Sequence, residues 1–532
     1  MKTNLYILSI LPIAILLGGC DDFLDAMPDN RAEINTDEKI TSLLVSAYPN
    51  VAPILITEFG SDNVMDSGSQ FAVSYKTQEE AYLWESITGI NNDDPLEIWQ
   101  EHYNAIGSAN EALAAIEWMG NPQRLSAQRA EALICRAYAH FMLANVFCRS
   151  YNPETADKDL GVPYIEKLET QLIVKHTRGT MAELYEKINA DIEAALPDID
   201  DNIYSVAKYH FNRKAAYAFA ARFNLFYIKP DKSNYQKVID YANVVLGSNP
   251  VDQLRSAMQY TSMGANDIAN QYVNANEKAN LLIQPVFSLA GRVISGQRRY
   301  NHARPIVSNE TYWGPGPFGS SGSSAFLISM MYGYEEAVRF PKLQEFFEYT
   351  DKTGGIGFAH VVHVPFTTDE TLLCRAEAYA MTGKYTEAAT DLDYWQHAYC
   401  RPAYTANGVT YRLQTLTPER INAFWDNKNM PYSPVVSVLE DGSDRTPKKM
   451  LHPRGFTVEP GEQENFIQTV LHYRRITTLH DGSRWYDIKR YGIEVGHNRD
   501  GREADILKVD DPRRAIQLPE DVISAGLQAN PR

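Results

Sequence analysis

Long apolar runs are nearly absent from this 532-residue chain. One stands out, Leu5–Leu17, and nothing after it reaches the roughly 20 apolar residues that a membrane-spanning helix needs. Cysteine is also scarce, with five in all and no CxxC pair, which excludes zinc-ribbon and thioredoxin-like readings. Positive charge is in deficit: 50 Lys and Arg stand against 67 Asp and Glu, for a net charge of −17. No phosphate-neutralising stripe can be assembled from such a chain, so nucleic acid is excluded as a partner. The same balance argues against adsorption onto anionic lipid. The phosphate-loop, zincin and nucleophile-elbow patterns are missing. Gly314, Gly316 and Gly319 match GxGxxG, but Pro315 and Pro317 remove amide donors that a phosphate would need, and no strand-then-helix context surrounds them. His360 and His363 form an HxxH without a third ligand at useful spacing. Neither metal nor cofactor is expected. Paired carboxylates for glycoside hydrolysis meet only in a fold, and nothing singles out a pair, so the chain reads as a binding protein and not an enzyme.

What is present begins with an export signal. Met1-Lys2 supplies a positive start, Leu5–Leu17 an apolar run, and Gly18-Gly19 small residues at the exit, directly before Cys20 and the acidic pair Asp21-Asp22. Leu17-Gly18-Gly19-Cys20 resembles a lipobox, in which residues 1–19 are removed and Cys20 is diacylated through sulfur. Several acyl chains on one residue give stable anchoring, at about 0.8 kcal/mol per buried methylene. The plainer alternative is a cleaved signal with a chance cysteine.

The body is helical by periodicity, and no alternation is long enough for a large sheet. Trp99, Tyr103, Ile106, Asn110, Leu113 and Ile116 fall on one helix face. Arg129 to Phe147 follows Ser126 with a stripe through Leu133, Ala137, Phe141 and Ala144. Further helices are expected over residues 180–196, 212–228 and 235–246, where alanines among aromatics allow close helix approach. Cys135 and Cys148 fall on one helix, roughly 20 Å apart along its axis, so they are expected as buried free thiols together with Cys374 and Cys400. Residues 371–402 are more specific. Ala376, Tyr379, Gly383, Tyr385, Ala388 and Leu392 have the spacing of a tetratricopeptide repeat, with Gly383 ending the first helix in a left-handed turn.

Between about Val251 and Pro365 the periodicity collapses into a stretch rich in Gly, Ser, Asn, Pro and aromatics. A second irregular stretch covers about Ala403 to Gln463. Loops this long inside a helical body carry function or lack order, and their aromatic content argues for order. A sugar ring stacks its C–H face on Trp or Tyr and needs polar side chains at the rim. Tyr300, Tyr312, Trp313 and Phe318, with Arg299 and Asn301, supply that mixture. The same residues would also clamp an extended peptide, or pack the loops onto the helices. Asp93-Asp94, just before Pro95, reads as a turn and helix start.

Several stretches together resemble the SusD/RagB family: the start CDDFLDAMPDN, the helix carrying Trp99, Tyr103, Ile106 and Asn110, the helix RAEALICRAYAHFML followed by Gly161-Val162-Pro163, the hairpin at 371–402, the run Asp481–Arg490 (DGSRWYDIKR), and the ending Asn530-Pro531-Arg532. The resemblance spans the mature chain. It implies an all-α-dominated fold of tetratricopeptide-like helix pairs forming a superhelical scaffold under a loop-rich binding region. An N-terminal half (20–250) would be followed by a C-terminal half (251–532). It also implies an outer-membrane lipoprotein of a Bacteroidetes bacterium, anchored by its lipid and facing the cell exterior. Such a protein passes an oligosaccharide, or a peptide in the RagB branch, to a SusC-like TonB-dependent transporter. Asp21-Asp22 behind the cysteine fits surface export in that family. One departure is Thr477, where family members carry a Glu two residues after the Arg474-Arg475 pair, and it touches local packing. The alternative from a different class is a repeat-protein scaffold lipoprotein serving outer-membrane assembly, against which the aromatic loops speak.

Overall fold

The computed structural model describes residues 34–169, 175–319, 326–334, 336–427, 431–436 and 446–532. The signal segment 1–19 and the lipidation site Cys20 lie outside the described residues. Helix α1 (Pro95–Trp118) begins where the sequence places it: Asp94 caps it by accepting the Glu97 amide at 2.9 Å, and Pro95 takes the first turn, where its missing N–H costs nothing. Asp93 reaches the other way, accepting the Ser288 hydroxyl at 2.5 Å and the Leu289 amide at 2.8 Å, which ties the helix start to the second half of the chain.

Helix α2 (Ser126–Phe147) packs on α1 and on α3 (Met181–Ala195), and almost every residue along it is buried. Its alanines make that possible, because helices can close in on all sides. Helices α4 (Arg213–Phe226) and α5 (Ser233–Leu246) form the next pair, and α6 (Thr368–Met381) with α7 (Tyr385–Tyr399) another. Gly383 turns between α6 and α7 at φ +74°, as that hairpin requires. Helix α8 (Glu462–Thr477) lies on α6 and α7, and the short α9 (Arg484–Arg490) follows. The fold is thus dominated by paired helices. Helix α5 packs on α6, so the two halves of the chain share an interface, and one hydrophobic cluster runs from Ile40 to Leu518. Cys135 sits inside α2 and Cys148 caps its end; with Cys374 and Cys400 they are buried, free thiols.

The irregular stretch after residue 251 contains a three-stranded sheet. Strands β1 (Asn280–Val286), β2 (Glu345–Asp351) and β3 (Ile356–Thr367) pair antiparallel in the order β1-β3-β2. Periodicity misses β3 because its last five residues, His363–Thr367, are all buried, so no alternation of exposed and buried positions marks them. Strand β3 runs directly into α6, whose first turn is capped by Thr367.

Behind the DGSRWYDIKR run lies a buried ionic lattice. Glu377 of α6 accepts from Arg474 at 2.5 Å, Arg490 at 2.7 Å and the Tyr491 hydroxyl at 2.7 Å, and Asp487 takes the other arm of Arg474 at 2.8 Å. Asp62 holds Arg484 in a two-pronged pair at 2.8 and 2.9 Å. Glu310 accepts from Arg475 and Lys449 at 2.8 and 2.7 Å. Arg and Asp residues of the run thus pair within the fold, Arg484 with Asp62 and Asp487 with Arg474. At the atypical position, the Thr477 hydroxyl donates to Tyr473 O at 2.8 Å and accepts the indole N–H of Trp395 at 2.9 Å, so it stitches α8 to α7 without a charge.

Burial alone would raise the Glu377 carboxyl, but the Arg490 and Arg474 guanidiniums more than offset it and hold it at about 2. Because this folded-state value lies below the unfolded one, the stabilisation is present above the ordinary glutamate range and is lost as pH falls toward 2. Glu377→Ala strands two buried guanidiniums and is expected to cost about 3–5 kcal/mol in denaturant unfolding. The variant should also lose part of the wild-type fall in stability between the ordinary glutamate range and pH 2.

Candidate functional site

The α1–α2 pair carries a strap across its surface. Residues 161–167 are extended over it, and each contact uses a residue from the motif-bearing helices. Tyr103 donates to Pro163 O at 2.8 Å, Asn110 to Ile165 O at 2.9 Å, and Arg136 to Glu166 O at 2.9 Å. Arg136 is itself gripped by Asp191 through two bonds of 2.7 Å. His140 bonds Arg136 O through Nδ1 at 2.8 Å and accepts the Ile165 amide on Nε2 at 3.1 Å, an arrangement that fits the neutral ring with its proton on Nδ1. Burial pushes its pKa down to about 3, which keeps it in that form. Between α1, the strap and the C-terminal segment around Val522–Leu527 lies a cleft of about 1020 Å³. Trp99, Tyr103, Ile165 and Leu527 wall it, and Lys167 and the Glu169–His176 pair stand at its edge.

The residues chosen from sequence are divided between surface and core. Tyr300 is 1% exposed: its ring stacks on Tyr82 at 4.4 Å and its hydroxyl donates to Glu79. Asn301 is buried and spends its amide on Gly296 O and Arg298 O. Tyr312 is fully buried, edge-on to Phe340, and Phe318 stacks on Tyr473 of α8. These four hold the loops onto the helical body, and the rings of Tyr300, Tyr312 and Phe318 are buried against the protein's own rings. Arg299 and Trp313 remain partly open. Arg299 pairs with Asp66 at 2.8 and 3.0 Å, and the half-buried Trp313 donates its indole N–H to Ser329 at 3.2 Å. His360 and His363 both lie on β3, and among the described residues no group of three or more His, Cys, Asp or Glu could hold a metal ion.

Two aromatic residues that sequence reasoning passed over are open to solvent. Phe347 and Tyr349 on the edge strand β2 are 47% and 52% exposed, with ring centroids 4.8 Å apart. Side chains two residues apart share a strand face, so Glu345, Phe347 and Tyr349 form one row. Opposite them in β3 stand Val361, Ala359 and Gly357. The small residues let the rings lie close to the sheet: a Cβ on Gly357 would sit 2.7 Å from the Phe347 ring and 2.0 Å from Glu348 O. Arg292 clamps Glu345 through two bonds of 2.8 Å and comes within 3.5 Å of the Tyr75 hydroxyl. The segment ending at Tyr75 also meets Arg299, whose amide donates to Ala72 O at 3.2 Å and whose carbonyl accepts the Ser67 amide at 2.7 Å. Arg299, Tyr75, Arg292, Glu345 and the two rings therefore border one stretch of surface. The signal in the sequence was the aromatic-rich run Phe346-Phe347-Glu348-Tyr349-Thr350 before the turn Lys352-Thr353-Gly354-Gly355, which reads as a hairpin.

Residues 22–225 match a family model, SusD-like, described as starch-binding associating with the outer membrane. A comparison with curated proteins finds no match. Among solved structures, a SusD superfamily protein from Bacteroides thetaiotaomicron is 17% identical with a TM-score of 0.59, over 93% of this chain and 98% of that one. A SusD superfamily protein from Bacteroides fragilis is 16% identical with a TM-score of 0.62, over 93% and 99%. A putative sugar binding protein from Bacteroides vulgatus is 16% identical with a TM-score of 0.55, over 94% and 99%. The shared architecture is the SusD fold. Residues 22–225, the part of the chain that the family model matches, contain the α1–α2 pair and the strap across it.

The ring pair depends on the bare backbone at Gly357. Gly357→Ala forces β2 away from β3, and the expected result is a loss of about 1–3 kcal/mol in stability with a changed near-ultraviolet dichroism signal from the displaced rings.

Proposed function

We propose that the protein is an outer-membrane lipoprotein, anchored through Cys20 and facing outward, that captures an oligosaccharide and passes it to a SusC-like TonB-dependent transporter. The observation that carries this reading is the SusD-like match over residues 22–225, whose description joins starch binding to the outer membrane. The Bacteroides vulgatus neighbours described as sugar or carbohydrate binding support it. The exposed row on β2 supplies the chemistry. A pyranose lays its C–H face on Phe347 or Tyr349, a contact that removes apolar surface from water. Its hydroxyls find Glu345, Arg292 and the Tyr75 hydroxyl at one end and Arg299 further along. Such a surface binds and releases without changing a covalent bond.

Calorimetric titration with a set of neutral oligosaccharides tests the proposal. Phe347→Ala and Tyr349→Ala are each expected to weaken the ligand that binds by about tenfold, or about 1.4 kcal/mol, and Trp313→Ala weakens it too if the bound chain extends that far. Unchanged affinity in both the Phe347 and Tyr349 variants removes the stacking surface. Binding of peptides in place of every sugar overturns the ligand class. Cys20→Ala is expected to leave the folded protein in the soluble fraction, and solubilised wild type should bring down a large TonB-dependent barrel. Recovery of an assembly machine in its place would favour a scaffold role.

A further inference from the structure

In a chain of net charge −17, one groove is walled mainly by cations. Two adjoining hollows of about 220 and 440 Å³ share Ile228 and Arg454, and they run from the end of α2 past the turn after α4 to residues 453–457. They share no residue with the β2 ring row. Arg149, Lys229, Lys232, Lys489 and Arg514 line them, and among the described residues none of the five forms an ion pair with a carboxylate. Lys489 donates to Asn145 O and Cys148 O, both at 2.6 Å, and Arg514 to the carbonyls of Ile493, Lys508 and Ile488 at 2.6, 2.7 and 3.0 Å. Carbonyls satisfy their N–H groups while leaving their full charges in place.

Two of the four acidic residues on the same walls are paired with arginine: Asp510 with Arg454 at 2.6 Å and Asp511 with Arg513 at 2.8 Å. Asp159 accepts the neutral Thr155 hydroxyl at 2.5 Å and, like Glu154, keeps its charge, so cations still outnumber carboxylates on the walls. Burial pushes Lys489 down to about 7, and it pushes Arg514 down to about 10 although the Asp511, Glu494 and Asp510 carboxylates nearby pull the other way. The half-buried rings of Tyr151 and Phe456 stand on the walls, one in each hollow.

We propose that this groove is a second binding site, specific for an acidic saccharide whose carboxylate or sulfate groups meet Arg149, Lys229 and Lys232 while its ring faces lie on Tyr151 and Phe456. Two joined hollows suit a short oligomer better than a single small ion. Arg149 and Lys232 are solvent-exposed and can be changed without disturbing the core. Lys232 stands at φ +61°, a backbone conformation that asparagine tolerates.

The test is titration of the full mature protein, at low ionic strength, with a trimer of galacturonic acid, a neutral galactose trimer and sodium sulfate, using wild type, Arg149→Glu/Lys232→Asn and Tyr349→Ala. The expected result is that the acidic trimer binds wild type and Tyr349→Ala alike, and binds the double variant about tenfold or more weakly. Added salt should weaken it. The melting temperature of the double variant should equal that of wild type. Equal affinity of the acidic trimer for wild type and the double variant, or no binding of it to wild type, overturns the proposal. Sulfate binding as tightly as the trimer reduces the groove to a simple anion site and overturns the saccharide assignment. Failure of neutral sugars to bind any of the proteins counts against the β2 surface alone, because that surface shares no residue with the groove.

Discussion

Four arginines of α8 and α9, with Lys449, sit in the interior of this protein, and everything around them is arranged so that they can. A guanidinium taken out of water is costly unless carboxylates and hydrogen bonds replace the lost hydration. Here the replacements come from far apart in the chain: Asp62 near the start, Glu310 in the loop region, Glu377 on α6 and Asp487 on α9. No two of these segments can shift independently without separating a buried charge from its partner. The lattice therefore fixes the C-terminal helices, the loop region and the early residues 58–63 in one arrangement, a specificity that apolar packing alone enforces less strictly.

The strap across α1 and α2 obeys the same logic with neutral partners. Its carbonyls would be orphaned on a helical surface, so Tyr103, Asn110 and Arg136 satisfy them one by one, and the neutral His140 ring accepts the one inward amide. The C-terminal Asn530 works alike, donating to Phe147 O and Ile516 O and accepting from Arg178. The polar residues that mark the family resemblance are in this sense backbone-satisfying groups, and their spacing reflects which carbonyl each must reach.

The helices were legible because each shows an apolar face at a period of three to four residues, with caps such as Asp94, Thr180 and Asn212 where they start. The α6–α7 hairpin was legible from Gly383 and the small residues around it. The sheet was not, since β3 is enclosed by neighbours and loses the alternation that reveals a half-exposed strand. The burial of the loop aromatics was not legible for a related reason. Tyr300, Tyr312 and Phe318 lie in loops rich in glycine and proline, where aromatic content signals either a ligand or an anchor, and only the fold shows that their partners are Tyr82, Phe340 and Tyr473. Arg299 is paired with Asp66, more than two hundred residues away, a partner that no local pattern reveals.

The row on β2 has a consequence for how tightly a ligand can be held and how readily it can leave. Loop-borne rings must be frozen when a ligand arrives, and each immobilised side chain subtracts from the affinity. Phe347 and Tyr349 stand instead on a hydrogen-bonded strand, seated over a glycine and an alanine, so most of their freedom is already gone before binding. A preorganised surface of this kind can form a modest number of contacts quickly and give them up as quickly.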